Sequence, residues 1–437
     1  MRASSSAADP LEIPVASRIL ANGLTVVSAR VGGSDVVGLC VTYGIGSRRE
    51  PRDRSGFAHL FEHLMFEGTP RAGKGVFDRA CEGSGGSNNG QTRLDSTLYT
   101  ELFPRAALER FLWLEADRLS GLTFSEETLT NQRDVVKEEI RVNVQNDPYG
   151  LFEYSELPRR LFDLWENAHD GYGDFADLDA ATLDDVRSFF DAYYRPNNAI
   201  LVVAGDLEPA EVFARAEDAF GSIPSAPLPP ATDLFEPVRP SADLLRQEAP
   251  LARTPMLAVG WRMPRRDHPD AWPLLVLGEL LHDGRAGRLF RTMVEGREIA
   301  TEISGGFNAF QGGTWYHGTT LFLTRIGFKR DVPVDRVLDA LHEEIALLSR
   351  ERIDEGELAR VKTKIVASYY RQCESRVELA SELGQAMLFT GTPAGVLEFA
   401  LHVEAVRRDD LLRATRWLSR DSFAAVVKTP PASEDPS

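Results

Sequence analysis

The segment 59–63, with the sequence HLFEH, places three chemically active side chains within about one helical turn. Residues four apart lie on the same face of a helix, so His59 and His63 can offer two imidazole nitrogens to one metal ion. Glu62 lies beside both histidines, where its carboxylate can accept a proton. The spacing therefore predicts a metal site together with a catalytic base. The alternative is a pair of core histidines whose hydrogen bonds are satisfied by the carboxylate.

The residues around this segment indicate a buried helix. In GFAHLFEHLMFEG the apolar side chains cover nearly the whole circumference of the predicted helix. Three polar side chains on one stripe of such a helix would be costly unless they are paired or bound to a metal. The setting therefore favours the metal site over the pair of core histidines.

A third metal ligand must come from another part of the chain, because a catalytic zinc usually has three protein ligands and a water. The predicted helix 125–146 offers two acids, Glu138 and Glu139. At about 100° per residue, Glu139 lies about 60° from the centre of the apolar stripe and Glu138 lies almost opposite it. We predict that Glu139 is the third ligand of one Zn²⁺ and that Glu138 faces water. The apolar stripe of this helix is formed by Leu129, Val136 and Ile140.

The elements that position these groups are arranged in two halves of similar plan. The first half opens with strand-like runs, GLTVVSAR and VVGLCVTYGIGS, followed by the HLFEH helix. GGSNNGQTRLDSTLYTELF is typical of strands with a glycine-rich entry. Helices are predicted over 104–119 and 125–146, and a helix, a strand and a helix follow between 184 and 220.

The second half repeats this order. MLAVGWRM predicts a strand, and the apolar helix AWPLLVLGELLHD stands where the metal helix stood in the first half. GGTWYHGTTLFLTRIGF predicts a strand region, helices are predicted over 332–348 and 355–370, and FAAVVKTP predicts a closing strand. His282 has no second histidine four positions away, so this half has lost the metal chemistry.

The pattern predicts an α+β fold of two homologous domains, each a mostly antiparallel sheet flanked by helices. A chain of 437 residues is too long for one ordinary core. We predict a zinc-binding catalytic domain over residues 1–225 and a homologous domain without metal over residues 241–437. The Pro-rich segment 226–240 is predicted to join them.

Composition limits the partners and the location. The net charge of −17 argues against nucleic acid, because phosphate binding requires a basic face. An acidic cavity would attract cationic peptides, although an acidic solvated surface explains the same charge. No apolar run approaches the roughly 20 residues of a membrane span. The cysteines are odd in number and widely spaced, which predicts a cytoplasmic location without disulfides. They are Cys40, Cys81 and Cys373.

Three segments together resemble the pitrilysin-type inverted zincin metallopeptidases, and in particular the zinc-binding subunit of their mitochondrial processing peptidase-like subfamily. They are HLFEH, GGSNNGQT…DSTLY and QRDVVKEEI. The resemblance covers nearly the whole chain. It implies that His59, His63 and Glu139 bind zinc and that Glu62, the acid of the HxxEH motif, activates water.

The resemblance also implies a place for the substrate. Asn88, Asn89 and Thr92 match a strand that pairs with an extended peptide in the family, and such main-chain pairing gives affinity without requiring a particular sequence. Without the resemblance, an ordinary Gly/Asn turn between a helix and a strand explains the segment Gly85–Thr92 equally well.

The chain departs from the family pattern at positions that matter for catalysis. A second family Glu, seven residues before the zinc ligand, corresponds to Gln132, which leaves the ligand set intact. The Arg and Tyr of an R-x6-Y pattern, which stabilise the oxyanion, correspond to Val294 and Thr301, and neither can donate in the same way. The family chamber has four α+β units and this chain supplies two. We therefore predict a heterodimer with a homologous subunit that carries R-x6-Y, and a homodimer is less favoured.

These observations predict a zinc metalloendopeptidase that hydrolyses extended or unfolded peptides inside a closed chamber, with leader peptides or presequences as one substrate class. The alternatives are a catalytically weak or scaffold subunit of a homologous complex, the inactive R-x6-Y-bearing partner, and a zinc-stabilised binding protein. The intact set of ligands and base opposes the scaffold, Val294 and Thr301 oppose the inactive partner, and a binding protein would not need Glu62.

Overall fold

A computed structural model describes residues 12–350 and 353–431 as a mixed α+β structure with two sheets, which confirms the predicted fold class. Most strand pairs are antiparallel, as expected. The strands are β1 (Val15–Ile19), β2 (Thr25–Arg30), β3 (Val36–Tyr43), β4 (Ser87–Thr92), β5 (Thr97–Pro104), β6 (Ala199–Gly205), β7 (Asp243–Glu248), β8 (Met256–Met263), β9 (Ala300–Phe307), β10 (Thr320–Phe328) and β11 (Ala424–Thr429).

Helices fill most of the chain between these strands. They are α1 (Phe57–Leu64), α2 (Val76–Gly83), α3 (Leu108–Ser120), α4 (Glu126–Ile140), α5 (Phe152–Leu161), α6 (Trp165–Ala168), α7 (Phe175–Asp179), α8 (Leu183–Tyr193), α9 (Pro209–Phe220), α10 (Ala271–His282), α11 (Val334–Arg350), α12 (Glu355–Glu374), α13 (Arg376–Thr390), α14 (Ala394–Leu397), α15 (Phe399–Ala405) and α16 (Arg408–Ala414). Segments of π-helix follow α4 (Arg141–Gln145) and precede β9 (Phe290–Gly296).

The two sheets share one connectivity. The first has the strand order β1-β2-β6-β3-β5-β4, and the second has the order β7-β11-β8-β10-β9. In each sheet the one parallel pair joins an early strand to the last strand in sequence, β2 to β6 and β7 to β11. Removing β1 makes the two orders equivalent, as the repeated order of elements in the sequence predicted. Strands β4 and β9 are the corresponding edge strands.

The two compact units of the chain do not follow the predicted contiguous ranges. Helix α13 packs on β3 and β6 in the first unit, whereas α5, from the first half of the sequence, packs on β8 and β11 in the second. The ranges 1–225 and 241–437 remain a prediction about homologous halves. The first unit contains Met1–Lys137, Gly171–Thr232 and Ala367–Leu401, and the second contains Glu138–Asp170, Asp233–Val366 and His402–Ser437.

Some element boundaries differ from the prediction. Pro104 ends strand β5 instead of opening a helix, and a 3₁₀ turn precedes α3. Proline is suited to a first helical turn, but it also fits the last position of a strand, where the ladder needs no further donor. The predicted strand region 312–328 is a strand only from Thr320 onward. Helix α13 was not predicted.

The Pro-rich segment 226–240, which the sequence predicts as a linker, contains neither helix nor strand, and two of its side chains are buried. Leu234 and Glu236 are 6% and 4% exposed. The Glu236 carboxylate accepts hydrogen bonds from the backbone N–H of Asp163 and lies 3.1 Å from Arg262. A buried carboxylate is tolerated because it is paired and hydrogen-bonded in this way.

The three cysteines are buried free thiols. Burial raises the pKa of Cys40 to about 12 and that of Cys81 to about 11, so neither is a thiolate near neutral pH. Across the described residues, none of the helices has the length and apolar character that crossing a bilayer requires.

Candidate metal centre

Helix α1 presents the two predicted histidine ligands side by side. Its apolar residues are buried, and His59 is itself only 9% exposed. The Nε2 atoms of His59 and His63 lie 3.4 Å apart, and the two rings are nearly perpendicular, with centroids 5.0 Å apart. The spacing of four residues therefore aims both nitrogens at one point, as the sequence predicted.

A buried carboxylate holds the start of α1. Glu50, 5% exposed, accepts hydrogen bonds from the backbone N–H groups of Gly56 (2.9 Å) and Ala58 (2.7 Å). These N–H groups have no partner within the helix, and a negative charge is favoured at this end. Glu50 thereby fixes the turn from which His59 projects. No local sequence pattern marks Glu50 as a cap, because it lies outside the usual N-cap position.

Helix α4 carries Glu139 to the histidines. Within the described part of the chain, ligand atoms of His59, His63 and Glu139 all lie within 4.8 Å of one another. Glu138 points elsewhere, since its side chain is 65% exposed and pairs with Arg141 at 3.1 Å. The boundary between the compact units falls after Lys137, inside α4, and the helix is continuous through it. The opposite placement of the two acids agrees with the helical phase.

The donor set fits zinc. Two imidazole nitrogens and one carboxylate oxygen form a common catalytic zinc set, whereas calcium and magnesium favour oxygen ligands alone. Two ligands at about 2.0–2.1 Å from a tetrahedral zinc lie about 3.4 Å from each other. The distance between the two histidine Nε2 atoms matches this value. His59, His63 and Glu139 are therefore the residues that would hold the ion.

The predicted base, Glu62, lies against strand β4. A Cβ atom added to Gly90 would stand 2.7 Å from Cγ and 3.2 Å from Oε1 of Glu62. Any larger residue at position 90 would displace the carboxylate, so the glycine gives Glu62 its room. Glu62 is half-buried on the same helix as both histidines. Neither alternative for Gly85–Thr92, a peptide-binding strand or a turn, predicted this close approach of Gly90 to the base.

The predicted substrate residues lie on β4, where two of their side chains bond to helices and the third is exposed. Asn88 donates to Asp78 Oδ1 (2.9 Å) and Thr92 donates to the carbonyl of Ala58 (3.3 Å), so both side chains attach the strand to helices. Asn89 is exposed on the opposite face. Among the described strands β4 has β5 as its one neighbour, which leaves its other main-chain edge available for an extended peptide. Substrate binding by these residues stays a prediction.

The segment 171–173 brings a further aromatic ring to the site. Tyr172 packs against His59 with ring centroids 5.6 Å apart and planes 88° apart. Gly173 has φ +94, and a Cβ there would lie 2.5 Å from Cα of Gly56 at the start of α1. The sequence Gly-Tyr-Gly at 171–173 is the signal that could have identified Tyr172. A loop has no periodicity, however, so the sequence does not show which part of the protein this tyrosine contacts.

The corresponding helix of the second unit, α10, carries one histidine, and its ring is hydrogen-bonded within the protein. His282 of α10 lies 2.9 Å from the carbonyl of Gly278 through Nδ1 and 3.0 Å from the hydroxyl of Thr324 through Nε2. Burial lowers the pKa of His282 to about 4, so it is neutral and structural. Val294 lies in the π-helical segment and Thr301 lies on edge strand β9. No guanidinium or phenol occupies these two positions.

Comparison with known proteins gives consistent matches. The family model for insulinase (peptidase family M16) matches residues 25–156, and the model for the peptidase M16 inactive domain matches 180–365. Together they cover more than half of the chain. The zinc protease PqqE of Helicobacter pylori is 27% identical over 415 residues, which are 93% of this chain and 91% of that protein.

A second relative and a solved structure are also similar to this chain over nearly its whole length. A probable mitochondrial-processing peptidase subunit beta of Arabidopsis thaliana is 23% identical and covers 95% of this chain and 78% of its own. The crystal structure of a protease from Helicobacter pylori superimposes with a TM-score of 0.88 at 25% identity, covering 96% of this chain and 100% of that one. The two-sheet architecture is thus shared over nearly the whole length.

Proposed function

Because the chain belongs to peptidase family M16, we propose that it is a zinc metalloendopeptidase that hydrolyses extended or unfolded peptides. The observation that carries this proposal is the cluster of His59, His63 and Glu139 with Glu62 on the same helix as both histidines. The relatives named as zinc proteases support the peptidase class and the choice of metal. A zinc-stabilised binding protein would not require an acid in the position of Glu62.

The residues of the chain divide the chemistry between them. His59, His63 and Glu139 would hold the ion, and the cap from Glu50 fixes the start of α1, the helix that carries both histidines. When bound, zinc polarises a carbonyl oxygen and lowers the pKa of a coordinated water toward about 7. Glu62 accepts the proton of the attacking water and returns it to the leaving amine.

The substrate proposal rests on the edge of the first sheet. Strand β4 lies next to the base through Gly90 and has an open main-chain edge. A peptide that adds to this edge must be extended, so folded proteins are excluded unless they first unfold. Leader peptides and presequences satisfy this requirement, and we propose them as one natural class of substrate.

We expect the purified chain to hold one zinc and to cut a reduced, unfolded polypeptide internally, while a stable folded domain of similar length stays intact. Metal content by atomic absorption and cleavage products by mass spectrometry measure both effects. Removing the metal with a chelator should abolish cleavage, and adding zinc back should restore it. Efficient cleavage of the folded domain, or full activity of a metal-free chain, would contradict the proposal.

We further propose that full activity needs a homologous partner that carries R-x6-Y. Val294 and Thr301 supply no equivalent donors, and loss of one oxyanion donor typically costs about 10²–10³ in rate. The chain alone should therefore bind zinc yet cleave slowly, and adding such a partner should raise the rate by about that factor. Assays of the single chain, the partner and the mixture measure this. Full activity of the single chain would remove the heterodimer from the proposal.

The second candidate is a scaffold subunit of a homologous complex, which the missing donors at Val294 and Thr301 favour. Such a subunit would bind zinc but gain no activity from any partner with R-x6-Y. Substituting Glu62 in the mixed complex would then have no effect on its cleavage rate. The same assays therefore separate the two candidates.

A further inference from the structure

A hydrogen-bonded pair beside the metal centre joins the two ligand-bearing segments. The side-chain amide of Gln132 on α4 donates to Glu67 Oε1 at 2.7 Å. The other oxygen of Glu67 lies 2.7 Å from Nζ of Lys74. Gln132 is 8% exposed and the Glu67 side chain is 9% exposed, whereas the Lys74 side chain is 60% exposed. The contact between amide and carboxylate is therefore the buried part of this network.

Each end of the pair lies close in sequence to a predicted ligand. Gln132 precedes Glu139 by seven residues, which is about two helical turns, so the two side chains share one face of α4. Glu67 follows His63 by four residues, in the turn where the N–H of Phe66 bonds to the carbonyl of His63. The hydrogen bond thus ties α4 to the end of α1.

We infer that Gln132 is a positioning residue for the zinc centre, and that it must be a neutral donor because Glu67 is its partner. The inference rests on the proposed zinc function and adds a residue to it. Gln132 acts by fixing α4, and with it Glu139, at the distance that lets three ligands converge. It does not itself touch the metal.

The charges explain why a carboxylate cannot replace the amide. An ionised glutamate at position 132 has no donor for Glu67 Oε1 and would place two carboxylates at about hydrogen-bonding distance in a buried place. The cation of this network, Lys74, already pairs with the other oxygen of Glu67 and is mostly exposed. Repulsion would push α4 away from α1, and the metal ligands would separate.

The test is an exchange of the two groups. Gln132→Glu should weaken zinc binding by about 10–100-fold, the usual effect of losing a group that orients a metal ligand. The double variant Gln132→Glu with Glu67→Gln restores a donor and an acceptor in reversed positions and should return the affinity to within a few-fold of the unsubstituted chain. Glu67→Gln alone leaves an amide–amide hydrogen bond and should have a small effect. Competition with a zinc-chelating indicator measures each affinity, and circular dichroism confirms that each variant is folded.

The outcomes separate this inference from the proposed function. If the unsubstituted chain binds no zinc, the proposed function itself is wrong. If that chain binds zinc and Gln132→Glu binds it equally well, the positioning role alone is wrong. Should Gln132→Glu fail to fold, the double variant decides: normal folding and zinc affinity support the inference, and weak zinc binding by a folded double variant overturns it.

Discussion

Replacing Glu62 by Gln is expected to leave the fold and the bound zinc intact and to reduce peptide hydrolysis by roughly 10²–10⁴-fold or more. The carboxamide keeps the shape that fits against Gly90, but it cannot accept the proton of the attacking water. The three predicted ligands are untouched, so metal content should stay at the level of the unsubstituted chain. Steady-state cleavage of an unfolded peptide and zinc analysis of the same sample measure the two effects together.

A matched control removes an exposed carboxylate that belongs neither to the proposed metal ligands nor to the proposed base. Glu82 lies exposed on α2, and its replacement by Gln should leave the rate within about twofold, as for most exposed positions. Near-normal turnover of Glu62→Gln would exclude Glu62 from proton transfer. Loss of zinc from that variant would instead make Glu62 part of the metal site.

Local sequence patterns predicted the orientation of helix α4 and the positions of most central strands. The stripe of Leu129, Val136 and Ile140 gave the orientation of α4, because a helix turns its apolar face inward wherever it packs. The same geometry distinguishes Glu139 from Glu138 without any knowledge of the neighbouring helix. Alternating or buried runs predicted most of the central strands, and the repeated order of elements in the two halves agrees with the shared sheet connectivity.

The exchange of helices between the two units could not be predicted in this way. The apolar residues Phe152, Leu157 and Leu161 of α5 pack with strands of the second sheet, although α5 follows the metal-site helices in sequence. The apolar face of a helix indicates that the helix is buried, but it does not indicate which sheet the helix packs against. Helix α13 is buried on most of its surface and therefore shows little periodicity. Edge strand β9 contains two glycines, Gly305 and Gly306, which weaken the strand signal.

Some residues around the metal centre could be predicted from the sequence and others could not, because only some of them belong to a local pattern. The two histidines and Glu62 share the HLFEH motif, and Glu139 was predicted from the phase of α4, so these proposed ligands and base are visible in the sequence. Glu50, Tyr172 and the pair of Gln132 with Glu67 act across tertiary contacts that link distant segments. In the sequence Gln132 was a departure from the family pattern that left the ligand set intact, and its hydrogen bond to Glu67 is visible only in the structure.

Replacing Glu139 by Ala is expected to remove most of the bound zinc, while the same change at Glu138 should have almost no effect. Glu139 contributes one of three protein ligand atoms within 4.8 Å of one another, and the remaining imidazoles alone form an incomplete site. Loss of a group that only orients a metal ligand typically lowers metal affinity by about 10–100-fold. Loss of Glu139, a proposed ligand itself, should lower the zinc affinity by more than this.

Glu138→Ala provides the matched control, because it deletes the adjacent carboxylate from the same helix. Its side chain is 65% exposed and pairs only at the surface with Arg141, so the zinc affinity should stay within about twofold. Both variants keep the helix-forming tendency of α4, since alanine is the most favourable helical residue. Titration of each metal-free variant with zinc against a competing chelator gives the two affinities directly. Equal losses in the two variants would show that helical phase does not select the ligand, and the assignment of Glu139 would then be wrong.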